Sequence, residues 1–220
     1  DPDKVTVTGT PVREDFFRYT RKQARQQLGL TDQAPLVLSV WGSLGAEVMN
    51  RQMAECIARE CAGGAPFHHI HGAGRNYSDL LADLKTRGID RKRYPQIDVR
   101  EYIYDMPLVM AAADLVLCRA GASTIAEITA IARPAVLVPS PNVVADHQTK
   151  NARVLERAGG AVLLPESACS GAALYGQIRT LLDDPGRRER MSRSLRDMAV
   201  PDAAERIYET LRALMEKTGE

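Results

Sequence analysis

The densest chemical signal in this sequence is the stretch Cys118-Arg119-Ala120-Gly121-Ala122-Ser123-Thr124-Ile125-Ala126-Glu127. The apolar run Leu115 to Cys118 reads as a buried parallel strand. Arg119 to Ala122 reads as a tight turn, and Ser123 or Thr124 stands where it could cap the helix that follows. Ile125, Ile128, Thr129 and Ala132 recur at helical spacing, so one face of that helix packs on a sheet. A turn of small residues feeding a helix leaves backbone N–H groups without intrahelical partners. Together with the helix dipole they make a site for an anion, phosphate above all. Thr124 and Glu127 are three residues apart and share a face just above that site. A carboxylate in that place accepts hydrogen bonds from a ribose diol, which points to a nucleoside diphosphate. An ordinary strand-to-helix turn with a solvated Glu127 is the competing reading, and a short glycine motif does not choose between them.

The elements around this stretch must position it. Val5 to Val7 reads as a short strand, followed by a Gly-Pro turn that Arg13 closes. Thr20 to Leu28 reads as a polar helix stopped by Gly29. The strand Leu36 to Val40 runs into Trp41-Gly42-Ser43-Leu44-Gly45-Ala46, a second glycine-rich turn, and the next helix carries Met49, Met53, Cys56 and Ile57 on one face. Pro66 to Ile70 reads as a strand ending in His71-Gly72-Ala73-Gly74. His68, His69 and His71 invite a metal reading, but they lie across a strand with no Asp, Glu or Cys at ligand spacing, so no metal site is expected. A helix over Asp79 to Arg87, a strand over Ile97 to Arg100 and a short helix over Pro107 to Ala112, capped by Asp105, lead to the central stretch.

Ala135 to Val138 is the following strand, and the loop Pro139-Ser140-Pro141-Asn142 leads to a helix over Asp146 to Ala158. Its first turn carries His147, Gln148 and Asn151, which suit sugar hydroxyls and equally suit a plain polar helix start. Ala161 to Leu164 is the last strand; Gly171 to Leu182, Arg187 to Ala199 and Ala203 to Met215 read as helices. Strands alternating with helices throughout predict an α/β fold: a Rossmann-like parallel sheet with helices on both faces. Right-handed crossovers then gather the glycine turns, Tyr102 to Met106, and Ser140 to Asn142 at one sheet edge, where open α/β sheets bind ligands.

Composition excludes several classes. Of 220 residues, 45% are hydrophobic and 26% charged, as in ordinary globular chains. A net charge of +1 gives no bulk case for nucleic acid as a partner. No apolar run reaches the length of a membrane span, and nothing at the start reads as a signal peptide. Cys56, Cys61, Cys118 and Cys169 show no zinc or redox spacing and read as reduced thiols of a cytoplasmic protein.

Five motifs in one order carry a resemblance: Thr8 to Arg13 (TGTPVR), Gly42 to Ala46 (GSLGA), Tyr102 to Met106 (YIYDM), Cys118 to Glu127, and Pro139 to Ala152. Over nearly its whole length the chain resembles the C-terminal, donor-binding domain of the MurG family of bacterial peptidoglycan glycosyltransferases. The resemblance implies the C-terminal half of a two-domain GT-B architecture. It implies transfer of N-acetylglucosamine from UDP-N-acetylglucosamine to an undecaprenyl-linked muramoyl-pentapeptide, without a cofactor. It places Arg13 near the donor nucleotide, Ser43 at the diphosphate, and Ile103 at the uracil edge with Met106 beside it. Ala122, Ser123 and Thr124 would bind phosphate and sugar, Glu127 the ribose, and Gln148 the sugar hydroxyls, with His147 adjacent. Some family members carry Leu in place of Ser123 and Gln in place of His147.

By the same resemblance, residues 1–13 are an interdomain linker with the first strand, 14–200 the nucleotide-sugar-binding domain, and 201–220 a helix that returns to an N-terminal domain. That domain, expected to precede Asp1, would carry the lipid acceptor site and the general base and would meet the cytoplasmic face of the cell membrane. The expected chemistry is an inverting, metal-independent transfer in which the helix starting near Ser123 stabilises the departing UDP. Two other readings remain open: a non-catalytic nucleotide-sugar-binding subunit that pairs with a membrane acceptor subunit, and a nucleotide-sugar epimerase built on Glu127 and His147.

Overall fold

The computed structural model describes residues 5–42 and 44–218. Six parallel strands form one sheet: β1 (Leu36–Val40), β2 (His68–Gly72), β3 (Ile97–Arg100), β4 (Leu115–Cys118), β5 (Ala135–Leu137) and β6 (Ala161–Leu163). Their order across the sheet is β3-β2-β1-β4-β5-β6, the doubly wound arrangement in which the chain reverses its direction of travel between β1 and β4. The α-helices are α1 (Arg21–Gln27), α2 (Glu47–Ala62), α3 (Tyr77–Thr86), α4 (Met106–Ala112), α5 (Ala122–Ala130), α6 (His147–Arg157), α7 (Gly171–Leu182), α8 (Pro185–Met198) and α9 (Ala203–Thr218).

Strand alternation divides the core in two. Val37, Leu115, Leu117 and Val136 face one side, with Met49, Met53 and Ile57 of α2 and Leu174, Ile178 and Leu181 of α7. Leu36, Leu38, Val116 and Leu137 face the other, with Val109 and Met110 of α4, Ile128 of α5 and Leu155 of α6. These side chains are buried, and burial of this kind stabilises by roughly 25 cal/mol per Å² of apolar surface. Helices therefore cover both sheet faces, as the alternation of elements implies. All four cysteines are buried and free, and burial pushes the Cys61 thiol up to about 11 and Cys169 up to about 12.

Several local expectations are corrected. Val5 to Val7 is not a strand: both valines are more than two-thirds exposed, and no strand among the described residues pairs with this stretch. Apolar alternation alone does not make a strand without a neighbour to bond. The second strand begins at His68 and runs to Gly72, later than its apolar pattern suggests. Neither Ser123 nor Thr124 caps α5; Gly121 is its N-cap residue and gives no side-chain cap. Asp105 does not cap α4 either, because its carboxylate accepts from Arg100 Nη1 at 2.9 Å. An ion pair of this kind competes with the weaker local cap.

The three histidines divide by the pleat. His69 and His71 point to the α2 side and are fully buried, whereas His68 is half-buried. His69 Nδ1 lies 2.9 Å from Glu60 Oε1 and Nε2 lies 2.7 Å from Ser39 Oγ. Ser39 Oγ also lies 2.7 Å from His71 Nδ1, and His71 Nε2 is 3.2 Å from Asn50 Oδ1. Burial, and then the charge of His69, push the His71 pKa down to about 3. An unfolded chain carries an ordinary histidine there, which takes a proton near pH 6.5, so acid favours the unfolded state. Stability is therefore expected to fall as pH drops from 6.5 towards 3, with His71 contributing up to about 1.4 kcal/mol per pH unit. Urea denaturation of the unsubstituted chain and His71→Gln across that range checks this; the variant should show the shallower decline.

Candidate nucleotide site at the sheet switch point

The strand C-terminal ends meet at one edge, and the crevice opens where β1 and β4 part company. A cleft of about 230 Å³ lies there, and its walls include Gly42 after β1, Gly72 and Gly74 after β2, and Arg119 after β4. Two of the glycine turns touch backbone to backbone. Gly45 has φ +73°, and a Cβ on it would overlap the Ala73 carbonyl oxygen; one on Gly74, at φ +64°, would strike Gly45 N. Gly45→Ala is thus expected to cost on the order of 2–4 kcal/mol, from left-handed strain plus overlap, read as a drop in urea midpoint.

Of the sequence-predicted site residues, Arg13, Ile103, Met106, Thr124 and Glu127 line this one cleft. They come from the segment before α1, the loop after β3, the start of α4 and the first turns of α5. Ile103 is buried and packs against Gly72, so a side chain at Gly72 would crowd it at 3.1 Å. Arg13 places its guanidinium carbon 5.5 Å from the centre of the Phe16 ring, which holds it at the cleft mouth. Burial raises the Glu127 carboxyl above its usual range, and Arg13 opposes that shift. A carboxylate shifted by burial at a cleft wall is a candidate functional group.

The remaining predicted residues sit differently. Ala122 lines a separate groove beside α6, and Ser123 is exposed. No side chain caps this end of α5, so the first-turn N–H groups, rather than the side chains, are what the turn presents. His147 is exposed and turns back on its own loop, with Nδ1 2.9 Å from Val144 O. Gln148 works as a brace: its Oε1 accepts from Ala120 N at 3.3 Å and from Ser140 N at 2.9 Å. Asn151 Nδ2 donates to Ala120 O at 3.1 Å, so α6 holds the turn after β4 at both the amide and the carbonyl of Ala120. Ser43 lies outside the described residues.

Two contributors were not singled out by sequence reasoning. Tyr102 lines the cleft and packs against Tyr104 in a tilted ring pair, centres 4.8 Å apart and planes inclined at 60°. Arg119 also lines the cleft; it donates to Val138 O at 3.1 Å and to Pro139 O at 3.3 Å, and pairs with Glu166 at 2.5 Å. Its position directly after a buried strand was the available signal, since side chains there stand at the ligand edge.

A doubly wound parallel sheet with a cleft at its switch point, an uncapped helix start and a half-buried carboxylate defines a Rossmann-type ligand-binding domain. Residues 36–207 match the glycosyltransferase family 28 C-terminal domain, and the chain belongs to that family. It is 40% identical over 215 residues to the UDP-N-acetylglucosamine--N-acetylmuramyl-(pentapeptide) pyrophosphoryl-undecaprenol N-acetylglucosamine transferase of Acetivibrio thermocellus, covering 98% of this chain and 57% of the relative. It is 41% identical over 216 residues to the protein of the same name from Salinibacter ruber, covering 98% and 56%. Among solved structures, MurG of Acinetobacter baumannii superposes with a TM-score of 0.73 at 26% identity, covering 96% of this chain and 58% of that one. The chain thus spans a little over half the length of the curated relatives it matches, and its fold is that of the C-terminal half of a GT-B transferase.

Proposed function

We propose that this chain is the donor-binding half of an inverting glycosyltransferase that moves N-acetylglucosamine from UDP-N-acetylglucosamine to an undecaprenyl-linked muramoyl-pentapeptide. The observation that carries the reading is the convergence of Arg13, Ile103, Met106, Thr124 and Glu127 on one cleft at the β1/β4 switch point. Family membership and the transferase name its relatives carry support it. In this reading Ile103 and Met106 hold the base, the Glu127 carboxylate accepts from the ribose hydroxyls, and the first-turn amides of α5 face the diphosphate. As the glycosidic bond breaks, charge grows on the UDP, and these fixed donors stabilise it more than they stabilise the bound donor. Ser43 belongs at the diphosphate. Gln148 acts in this reading by holding the turn at Ala120, with any contact of its amide nitrogen or of His147 to the sugar added to that.

The acceptor and the general base come from a second domain at the cytoplasmic face of the membrane. No helix among the described residues is long and apolar enough to cross a membrane. Residues 1–13 act as linker, and α9, with Tyr208 and Leu211 more than half exposed, returns towards that domain. The test is calorimetric titration of this chain with UDP-N-acetylglucosamine, UDP-glucose and GDP-mannose. The uridine nucleotides should bind with UDP-N-acetylglucosamine tightest, and the chain by itself should give no transfer. Preference for GDP-mannose, or turnover by this chain alone, overturns the reading.

A further inference from the structure

The five polar side chains between β1, β2 and α2 are the costliest feature of the fold that the proposed activity leaves unused. Glu60, His69, Ser39 and His71 are completely buried and Asn50 is 3% exposed. Buried ionic networks of this type are commonly replaced by apolar residues with no loss of stability, so stability alone does not account for one.

The ends of the chain assign its direction. The Ala73 carbonyl can only accept, so Asn50 donates to it from Nδ2 at 2.7 Å and turns Oδ1 to His71. His71 then donates from Nε2 and accepts the Ser39 hydroxyl proton at Nδ1. Ser39 Oγ accepts from His69 Nε2, and His69 Nδ1 donates to the Glu60 carboxylate. His69 Nδ1 lies within reach of both Glu60 oxygens, at 2.9 and 3.0 Å, and the order runs unbroken from Glu60 to Ala73. In a water-free interior the loss of one member leaves its neighbours unmet. The end at Ala73 is where the glycine turns touch. Arg75 N donates to Leu44 O at 3.2 Å, Gly74 N to Glu101 O at 2.9 Å, and Gly45 abuts the Ala73 carbonyl itself. Gly42, Gly72 and Gly74 are cleft wall.

We propose that Glu60, His69, Ser39, His71 and Asn50 form a positioning network for the nucleotide cleft, acting through the Asn50 amide on the Ala73 carbonyl and so on the turns that carry Gly45 and Gly74. The inference rests on the nucleotide reading for its ligand but not for its mechanics. Asn50→Asp keeps the shape and removes the donor to Ala73; Asn50→Leu removes both contacts; His71→Gln keeps one acceptor and one donor. The experiment measures UDP affinity by calorimetry and backbone amide exchange at residues 72–75, with urea denaturation confirming that each variant is folded. Asn50→Asp and Asn50→Leu should weaken UDP binding by about tenfold, the scale of one lost hydrogen bond, and speed exchange at 72–75, while His71→Gln stays within about threefold of the unsubstituted chain. If Asn50→Asp does not fold, Asn50→Leu carries the comparison. Exchange reads the turns without a ligand: failure of the unsubstituted chain to bind UDP removes the nucleotide reading, and unchanged exchange at 72–75 in the Asn50 variants overturns the network whatever binds.

Discussion

Glu127→Gln should make the ligand-free protein more stable and its grip on UDP weaker. Burial raises the Glu127 carboxyl above its usual range, with Arg13 pulling the other way, so the folded state holds this group's charge at a cost. In the ligand-free chain the folded state binds its proton more readily than the unfolded state does. Stability then declines as pH rises from the ordinary carboxylate range through the raised folded value. The neutral amide escapes that decline, so the variant's stability profile over weakly acid pH should be flatter, and higher at neutrality. Ligand binding reverses the sign. Ribose hydroxyls would meet the carboxylate, and charged acceptors bond about twice as strongly as neutral ones. Glu127→Ala should therefore lose about 1–3 kcal/mol of UDP affinity, about fivefold to 150-fold, and Glu127→Gln the smaller part of that. Calorimetry and urea denaturation on the same variants read both halves. Unchanged UDP affinity in Glu127→Ala would remove the ribose assignment.

The second large effect lies in the buried polar network between α2 and the sheet. Glu60→Leu should destabilise the chain by about 3–5 kcal/mol, because it strands His69 in a dry interior with no carboxylate at Nδ1. That is a large share of the roughly 5–15 kcal/mol that holds a domain together. Cys56, whose thiol donates to Glu60 at 3.4 Å, loses its partner in the same step. Pairing the change with His69→Leu should recover much of the loss, since apolar side chains suit the site once neither polar partner remains. Urea midpoints of the two single variants and the double give the coupling directly. A double variant no more stable than Glu60→Leu would show that the pair is not the source of the cost.

Both effects bear on how much of the molecule its sequence discloses. The apolar runs at Leu36 and Leu115 mark two strands with bounds that the structure repeats, because each is buried on both faces and bounded by turn residues; the edge strand at Ile97 repeats its bounds through alternation, with Ile97 and Val99 buried and Asp98 and Arg100 partly exposed. The strand at His68 starts later than its apolar pattern suggests, because its inward side chains are histidines satisfied by partners from other elements. Met49, Met53, Cys56 and Ile57 identify the buried face of α2, and Asn50 and Glu60 share it by spacing, but their polar character does not say which partners satisfy them there. The Val5 to Val7 stretch fails for the opposite reason: its pattern suits a strand but no edge reaches it.

Sequence by itself determined the alternation of strands and helices, hence the parallel sheet, and the convergence of its glycine turns at one edge. Those features follow from local periodicity and from the handedness of the crossover, which neighbouring residues encode. Tertiary structure alone decided which polar groups meet. Asp105 is claimed by Arg100, Gln148 by the amides of Ala120 and Ser140, and His69 by Glu60. Sequence patterns record which side chains share a face; they do not record which partner from another element will satisfy a donor once water is excluded.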